Sequence, residues 1–183
     1  MRIRPDIFIT ADTHFGHTKM WAFWQHREEG FEEKIISNWN RVVGDDDIVL
    51  HLGDLALCSK EMCKNWTLQL RGKKYLIRGN HDGNSETWFN ECGFTTIPAS
   101  LSQFGQKDGS ILKVLFTHEP VMDLPKKWFN IHGHLHGDSH RQELGNSLFD
   151  RRYFDAGVDP NDLTPIRLYD ILAYFKKMPL IGQ

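Results

Sequence analysis

Five short apolar segments stand out in the pattern of hydrophobic and polar positions along the chain. They cover residues 7–11, 48–53, 75–79, 111–117 and 128–133. Each has the length and the β-branched or aromatic content of a buried strand. Each is followed at once by an Asp, Asn or His residue. We therefore expect the five strand ends to emerge together at one edge of a sheet. In open α/β sheets, the carboxyl edge is where ligands bind.

Between these segments, apolar residues recur at helical spacing. Helices are predicted over residues 31–43, 59–70, 85–92 and 168–177, with Gly44 and Gly93 as stops after the first and third. Ser59 is the expected N-cap of the second helix, and Asn84 or Ser85 opens the third. Strands that alternate with helices favour βαβ units and a largely parallel sheet in the first half of the chain.

The second half of the chain has a different pattern. Short strands are predicted over residues 94–98, 101–104 and 111–116, with a turn at 105–109. A late strand is expected at 153–158. This half is therefore expected to be antiparallel or mixed.

Length and composition limit the possible classes of protein. A chain of 183 residues, 40% of them hydrophobic, fits a single domain over 1–183. The sequence has no uncharged apolar run long enough to span a membrane, and residues 1–6 have no signal-peptide pattern. The formal charge of −2 provides no general attraction for nucleic acid.

The cysteines favour a reduced, cytoplasmic protein. Cys58, Cys63 and Cys92 are odd in number and lack the paired spacing of a zinc-thiolate site. Disulfides are rare in reducing compartments, so thiols are the expected state. Cys58 and Cys63 are expected to be small core residues or partly exposed thiols.

The residues at the strand ends include seven candidate metal ligands: Asp12, His14, Asp54, Asn80, His118, His134 and His136. This mixture of donors suits a borderline divalent ion better than calcium or a structural zinc. Seven ligands are too many for one tetrahedral zinc, whereas two metals that share a bridging carboxylate fit the number. Residues two apart in an extended segment point the same way. We therefore expect Asp12 and His14 to bind one ion, and His134 and His136 to bind a shared centre.

Each of these residues has a simpler interpretation when it is considered alone. A single Asp at a strand end is usually a turn or cap residue, and a single His is usually a hydrogen-bonded surface or core group. The joint pattern favours the metal site. An ionised Asp or a His is costly to place at the end of an apolar strand without a partner, and five such placements share one explanation.

The same residues form a set of motifs in a fixed order. They occur as Asp12-Thr13-His14, Gly53-Asp54, Gly79-Asn80-His81-Asp82, His118 and Gly133-His134-Leu135-His136. In these five blocks the sequence resembles the calcineurin-like metallophosphoesterase superfamily. The stretch 153–159 is similar to the last strand of small bacterial and phage members.

The resemblance implies a fold and a set of roles. The fold it implies is an α/β sandwich of two mixed β-sheets flanked by helices, αββα. The implied ligands are, for the first metal, Asp12, His14 and His136; for the second, Asn80, His118 and His134; and between the two, Asp54. His81 would face the substrate, which agrees with the opposite directions of adjacent residues in an extended segment.

These roles lead to a mechanistic hypothesis. Two ions about 3.5–4 Å apart lower the pKa of a water between them, and the bridging hydroxide attacks phosphorus. His81 acts as general acid on the departing oxygen. Asp82 orients the His81 imidazole by accepting its other ring proton. The implied cofactors are two divalent ions, manganese first, with iron, zinc or nickel as alternatives.

Other polar residues near the motifs are further candidates. Arg78 is a candidate phosphate contact, with a surface ion pair as the alternative. His17 is a candidate substrate contact that a tight turn at Gly16 would bring to the metal face. A simple loop histidine is the alternative for His17. His51 and His132 are expected to be hydrogen-bonded in the core or behind the ligands.

Two loops are candidate sources of substrate contacts. Asp138 and His140 are candidates for the rim of the site. The aromatic cluster Trp21, Phe23 and Trp24 either stacks a base or packs against the body of the protein, and packing is the preferred interpretation.

The sequence thus predicts a metallophosphoesterase that acts on phosphomonoesters or phosphodiesters. Its expected partner is a small phosphorylated substrate or nucleotide, and no association with a membrane is expected. The sequence does not indicate an oligomeric state. A nuclease or nucleotide phosphodiesterase of the same superfamily is the alternative, although a nuclease lacks a basic track in the sequence. A non-catalytic interaction module disagrees with the intact ligand set, and a purely structural metal protein does not require His81 and Asp82.

Overall fold

The computed structural model describes residues 3–17, 19, 27–137 and 151–176. Its strands are β1 (Phe8–Thr10), β2 (Ile48–His51), β3 (Lys73–Ile77), β4 (Phe94–Ile97), β5 (Ser100–Gly105), β6 (Ile111–Phe116), β7 (Trp128–His132), β8 (Tyr153–Asp155) and β9 (Ile166–Arg167). Its helices are α1 (Phe31–Val42), α2 (Lys60–Thr67), α3 (Glu86–Glu91) and α4 (Leu168–Lys176), with a 3₁₀ turn at Asp159–Asn161.

The strands form two mixed sheets. In the first sheet the order is β4-β3-β2-β1-β9, in which β1 to β4 are parallel and β9 is antiparallel to β1. In the second the order is β5-β6-β7-β8, in which β5 is antiparallel to β6 and the strands from β6 to β8 are parallel. The predicted α/β fold of two mixed sheets flanked by helices is confirmed.

The expectation that all five strand ends meet at the edge of one sheet is wrong. The segments before Asp12, Asp54 and Asn80 end β1, β2 and β3 of the first sheet. Those before His118 and His134 end β6 and β7 of the second sheet. Apolar periodicity predicts each strand but not the sheet it joins, since pairing depends on residues far apart in the chain.

The segment after β8 joins the two sheet edges. The N–H of Ala156 donates to the His132 carbonyl at 2.7 Å, and the N–H of Val158 donates to the Ala11 carbonyl at 3.0 Å. One short segment therefore bonds to the end of β7 in one sheet and to the end of β1 in the other. These bonds bring the carboxyl ends of both sheets to a common junction.

Alternation along the first sheet divides the apolar core into two clusters. On β1, Phe8 belongs to a cluster with Trp39 and other residues of α1, α2 and α3. Its neighbour Ile9 belongs to a second cluster with Phe116 of the second sheet and Phe175 of α4. Because successive strand residues face opposite sides, the first sheet is buried on both faces. This explains the continuous apolar runs of its strands.

The starts of α2 and α3 follow the predicted caps. Ser59 caps α2, since its Oγ accepts the N–H of Met62 at 3.3 Å, and Ser85 caps α3 in the same way. Helix α2 ends at Thr67 instead of near Leu70, because the Leu70 N–H bonds to the Thr67 carbonyl three residues back and forms a tighter turn. Among the described residues, no helix is both long and apolar enough to cross a membrane.

The cysteines are free thiols. Cys63 and Cys92 are buried in the cluster that contains the first three helices, and Cys58 is partly exposed. The expectation of core residues or partly exposed thiols is confirmed for Cys58 and Cys63.

We expect Ile9→Ala to lower the free energy of unfolding by about 2–5 kcal/mol, because Ile9 is fully buried and its truncation leaves a cavity. Urea denaturation followed by tryptophan fluorescence measures this change. Ile111→Ala is the matched control: Ile111 is 54% exposed, and the change there should be within about 0.5 kcal/mol. Equal losses in the two variants would contradict this assignment of the core.

Candidate metal centre

Polar side chains from both sheets converge at the junction of the strand ends. They form two groups, one of Asp12, His14 and His136 and the other of Asp54, His118 and His134. Within each group the possible ligand atoms lie within 4.8 Å of one another. Each group could therefore hold a metal ion.

Asn80, which follows β3, lies at the second group. Its Oδ1 is 2.9 Å from His118 Nε2 and 3.0 Å from His134 Nδ1. The two histidine nitrogens are themselves 3.2 Å apart. An amide oxygen and two imidazole nitrogens thus face one point, a donor set that suits a borderline divalent ion.

Asp54 lies between the two groups. Its Oδ2 is 3.5 Å from His14 Nε2 on one side and 3.4 Å from His118 Nε2 on the other. Burial alone would raise the pKa of Asp54, but the hydrogen bond and charge of His118 hold it well below its ordinary value. An ionised carboxylate oxygen that faces both groups occupies the position that a bridging ligand requires.

Five of the candidate ligands have a left-handed backbone. The φ angles are 59° at Asp12, 48° at His14, 57° at Asp54, 72° at His134 and 53° at His136. This conformation is uncommon for residues other than glycine and costs on the order of 1–3 kcal/mol at each. Such strain persists only where the surrounding structure imposes it, and it often marks functional sites.

The left-handed backbone corrects the expected pairing of ligands. The segments 12–14 and 134–136 are not extended, so the alternation of a strand does not set their side-chain directions. Asp12 and His14 do reach the same group, but His134 and His136 lie in different groups. The expectation that these two histidines bind a shared centre is therefore wrong.

A buried ion pair that the sequence analysis missed supports the first group. Arg27 donates to Asp159 through Nε at 2.7 Å and through Nη2 at 2.8 Å. The same guanidinium donates to the carbonyl of Asp12 and, at 2.8 Å, to that of Thr13. Asp159 Oδ2 also lies 2.7 Å from His136 Nδ1. Arg27 and Asp159 therefore tie the strained segment 12–14 to His136.

The two residues of this ion pair differ in how visible they are in the sequence. Asp159 ends the stretch 153–159 that resembles the last strand of small family members, but Arg27 lies in a segment with no strand or helix pattern. Burial alone would raise the pKa of Asp159, but the hydrogen bonds and charges of Arg27 and His136 lower it to about 2. Asp159 is therefore a carboxylate at neutral pH.

Hydrogen bonds behind the rings determine which nitrogen faces each group. His136 Nδ1 donates to Asp159, so the nitrogen that faces the first group is Nε2, 3.3 Å from His14 Nε2. His118 Nδ1 donates to the Leu52 carbonyl at 2.9 Å, so the nitrogen that faces the second group is Nε2. Histidine ligands of metals are usually oriented by such a bond to a carboxylate or carbonyl.

His51 and His132 are buried and hydrogen-bonded, as predicted. His51 Nδ1 accepts the Gly53 N–H at 3.1 Å, and its Nε2 lies 3.0 Å from Thr13 Oγ1. His132 Nδ1 donates to the Gly133 carbonyl at 2.8 Å. Burial lowers the pKa of His51 to about 3, so this imidazole is neutral at physiological pH.

The buried polar atoms of the first group fit a cation. Asp12 Oδ1 and His14 Nδ1 are buried and have no hydrogen-bond partner in the described part of the chain. Burial raises the pKa of Asp12 well above its ordinary value and lowers that of His14 to about 2. A carboxylate buried beside the neutral His14 imidazole is costly unless a positive charge compensates it. A divalent ion would provide that charge.

Asp82 contacts other groups than the predicted one. Its Oδ2 accepts the N–H groups of Asp54 at 2.7 Å and Gly79 at 2.8 Å, and its Oδ1 accepts that of Leu55 at 3.1 Å. The expected hydrogen bond from the His81 ring to Asp82 is absent among the described contacts, because the buried carboxylate is directed at these three amides. Asp82 therefore holds the ends of β2 and β3 together.

His81 and His17 lie near the two groups. The His81 side chain is 45% exposed, and its Nε2 lies 3.9 Å from Asp54 Oδ2. The His81 ring centre is 5.5 Å from that of His14, and the His17 ring centre is 6.0 Å from it. Neither residue is a member of the two groups. Both rings can approach a molecule bound between them.

Arg78 lies on the side of the second group. One guanidinium nitrogen donates to the Asn84 carbonyl at 2.5 Å, and the guanidinium carbon lies 5.2 Å from the centre of the Phe89 ring. The predicted alternative of a surface ion pair is not found for Arg78 within the residues described.

Asp138 and His140, and the aromatic cluster Trp21, Phe23 and Trp24, lie outside the described residues.

The whole architecture matches one protein family. A sequence model of the calcineurin-like phosphoesterase family matches residues 5–173. The match includes both sheets and every residue of the two groups. Similarity is therefore not confined to the short motifs.

Individual proteins also resemble the chain over most of its length. An uncharacterized protein of Methanocaldococcus jannaschii, MJ1445, is 29% identical over 182 residues, which are 93% of this chain and 92% of that protein. The gene 66 protein of Mycobacterium phage D29 is 25% identical over 88% of this chain and 92% of its own. A crystal structure of a protein of unknown function from Aquifex aeolicus, AQ665, has a TM-score of 0.66 and 25% identity, and it covers 91% of this chain and 97% of its own.

We expect Asp159→Asn to weaken binding of a divalent ion about 10- to 100-fold, because the neutral amide neither compensates Arg27 nor orients His136 as strongly. Titration of the metal-free protein with manganese, followed by calorimetry, measures the affinity. Asp162→Asn is the matched control, since Asp162 is nearby and exposed. A folded Asp159→Asn variant with the affinity of the control would show that Asp159 does not support the metal centre.

Proposed function

The chain belongs to the calcineurin-like phosphoesterase family, and we propose that it is a metal-dependent phosphoesterase that hydrolyses phosphomonoester or phosphodiester bonds. The observation that carries the proposal is the pair of donor groups joined at Asp54, with the exposed His81 beside them. A site that only supported folding would not need an exposed imidazole next to its ligands.

We propose that the two groups hold two divalent ions, with manganese as the first candidate and iron, zinc or nickel as alternatives. The proposed ligands are Asp12, His14 and His136 for the first ion, Asn80, His118 and His134 for the second, and Asp54 for both. Bound divalent ions neutralise charge on a phosphate and lower the pKa of water. Asp12 Oδ1 and His14 Nδ1, which are buried and have no hydrogen-bond partner among the described residues, support this assignment together with the mixed donor set.

We propose that His81 is the general acid that donates a proton to the departing oxygen. Its backbone N–H donates to Asp54 Oδ1 at 2.9 Å, so the main chain of His81 is fixed at the centre of the site. Its half-exposed imidazole remains accessible to a substrate. A positioned acid of this kind contributes about 10²- to 10⁴-fold to the rate. Asp82 supports this arrangement through the backbone instead of through the ring.

A small phosphorylated molecule or a nucleotide is the proposed substrate. The net charge of −2 offers no general attraction for a long polyanion, so nucleic acid is the less favoured substrate. Arg78 and His17 are proposed to contact the substrate, since one lies beside the second group and the other beside His14. The free thiols support a reduced, cytoplasmic setting.

The proposal predicts metal-dependent hydrolysis of a generic aryl phosphomonoester, of the matching diester, or of both. Release of the aryl alcohol is measured with and without added manganese. Asp54→Asn should abolish the activity, because its carboxylate faces both groups. Absence of hydrolysis of either ester by protein that holds two metal ions would overturn the proposal.

His81→Ala should keep both metal ions and lose about 10²- to 10⁴-fold in kcat, because the side chain belongs to neither donor group but would protonate the leaving oxygen. Metal content is measured by elemental analysis. The value of kcat is measured with whichever of the two aryl esters the unchanged protein hydrolyses faster. Esters with a more acidic alcohol should lose less, since they need less protonation. Near-normal turnover for every ester would remove His81 from the mechanism.

A further inference from the structure

A cleft opens beside the second group, and neither metal binding nor proton donation by His81 requires it. It has a volume of about 700 Å³ and lies between the ends of β3 and β6 and the segment after β4. Asn80 and His118 are part of its wall, whereas no described residue of the first group is. The volume is within the range of sites for small molecules. A phosphate held at the two groups would therefore leave its organic group at the mouth of this cleft.

The walls of the cleft are partly apolar. Ile77, Ile97, Pro98 and Ala99 contribute apolar surface to it. Ile77 is buried beneath the surface, and Ile97 is half-buried. Carbon-rich walls next to a charged centre are suited to a substrate with a phosphate at one end and an organic group at the other.

Three charged side chains line the cleft, and they differ in how far their charge is compensated. Arg78 already donates to the Asn84 carbonyl and lies over an aromatic ring. Glu86 and Glu119 are exposed, and their carboxylates form no hydrogen bond or ion pair with another described residue. The cleft therefore carries two carboxylates against one guanidinium, and that guanidinium is held by Asn84 and the Phe89 ring.

We propose that the organic group of the substrate occupies this cleft, and that Glu86 and Glu119 select an uncharged or cationic organic group over an anionic one. This inference rests on the proposed function and specifies its substrate class. Phosphate esters of neutral or amine-bearing alcohols fit the cleft. Polyphosphates, bisphosphates and nucleic acid strands would place a second phosphate beside two carboxylates. Because both carboxylates are exposed, each should change affinity by about 2- to 5-fold.

The test uses propylphosphonates, which carry a non-hydrolysable phosphate mimic and a short chain that ends in an ammonium, a methyl or a carboxylate group. Binding of each to the manganese-loaded protein is measured by calorimetry. The ammonium compound should bind at least as tightly as the methyl compound and about tenfold more tightly than the carboxylate compound. A carboxylate compound that binds as tightly as the methyl compound would overturn the inference.

Variants separate the cleft from the general charge of the protein. The double variant Glu86→Gln/Glu119→Gln should reduce the ammonium-to-carboxylate ratio to within about twofold. Glu61→Gln is the matched control, since Glu61 is an exposed residue in the first turn of α2 and away from the cleft. Ala99→Lys adds a cation to the cleft wall and should reduce the ammonium-to-carboxylate ratio below that of the unchanged protein. Unchanged ratios in both cleft variants would place the organic group elsewhere.

The phosphonate binding test and the aryl ester hydrolysis test can fail independently of each other. If aryl esters are not hydrolysed but the phosphonates bind in the expected order, the proposed activity fails and the cleft assignment stands. If aryl esters are hydrolysed and the three phosphonates bind equally, only the cleft assignment fails.

Discussion

The carboxylates of Asp12 and Asp54 are buried where the two sheets meet, and the rest of the structure depends on how their charge is compensated. The surrounding side chains cannot fully provide this compensation, since burial keeps an imidazole such as His14 neutral. Backbone amides offset part of the cost: the His134 N–H donates to Asp12 and the His81 N–H to Asp54. The remaining oxygens face the two donor groups. Burial of this kind is tolerable in a protein that binds divalent ions.

The backbone at these residues is itself costly to maintain. Five left-handed residues at on the order of 1–3 kcal/mol each are comparable with the net stability of an ordinary domain. Three contacts hold them in place: the Arg27 guanidinium on the carbonyls of segment 12–14, the Asp82 carboxylate on the amides after β2, and the segment 156–158 between the sheets. The apolar core on both faces of the first sheet supplies the stability that this strain consumes.

The site is asymmetric, and its asymmetry connects the chemistry to the choice of substrate. The first group is supported by the Arg27 and Asp159 ion pair and is enclosed. The second group, with Asn80, borders an open cleft. His81 stands exposed near the shared Asp54. In the proposed function, a substrate would place its phosphate over both groups, its leaving oxygen near His81 and its organic group in the cleft.

The sequence by itself determined eight of the nine described strands, the helix caps and the identity of the donor residues, because apolar periodicity, capping residues and motif spacing are local properties of the chain. The two-residue β9 was not predicted. Only the tertiary structure decided which sheet each strand joined, that the backbone at His134 and His136 is left-handed, and that Asp82 binds amides instead of the His81 ring. Arg27 likewise contacts Asp159 across 132 positions. Sheet pairing, left-handed backbone and buried ion pairs depend on contacts between residues far apart in the chain, and no local pattern encodes them.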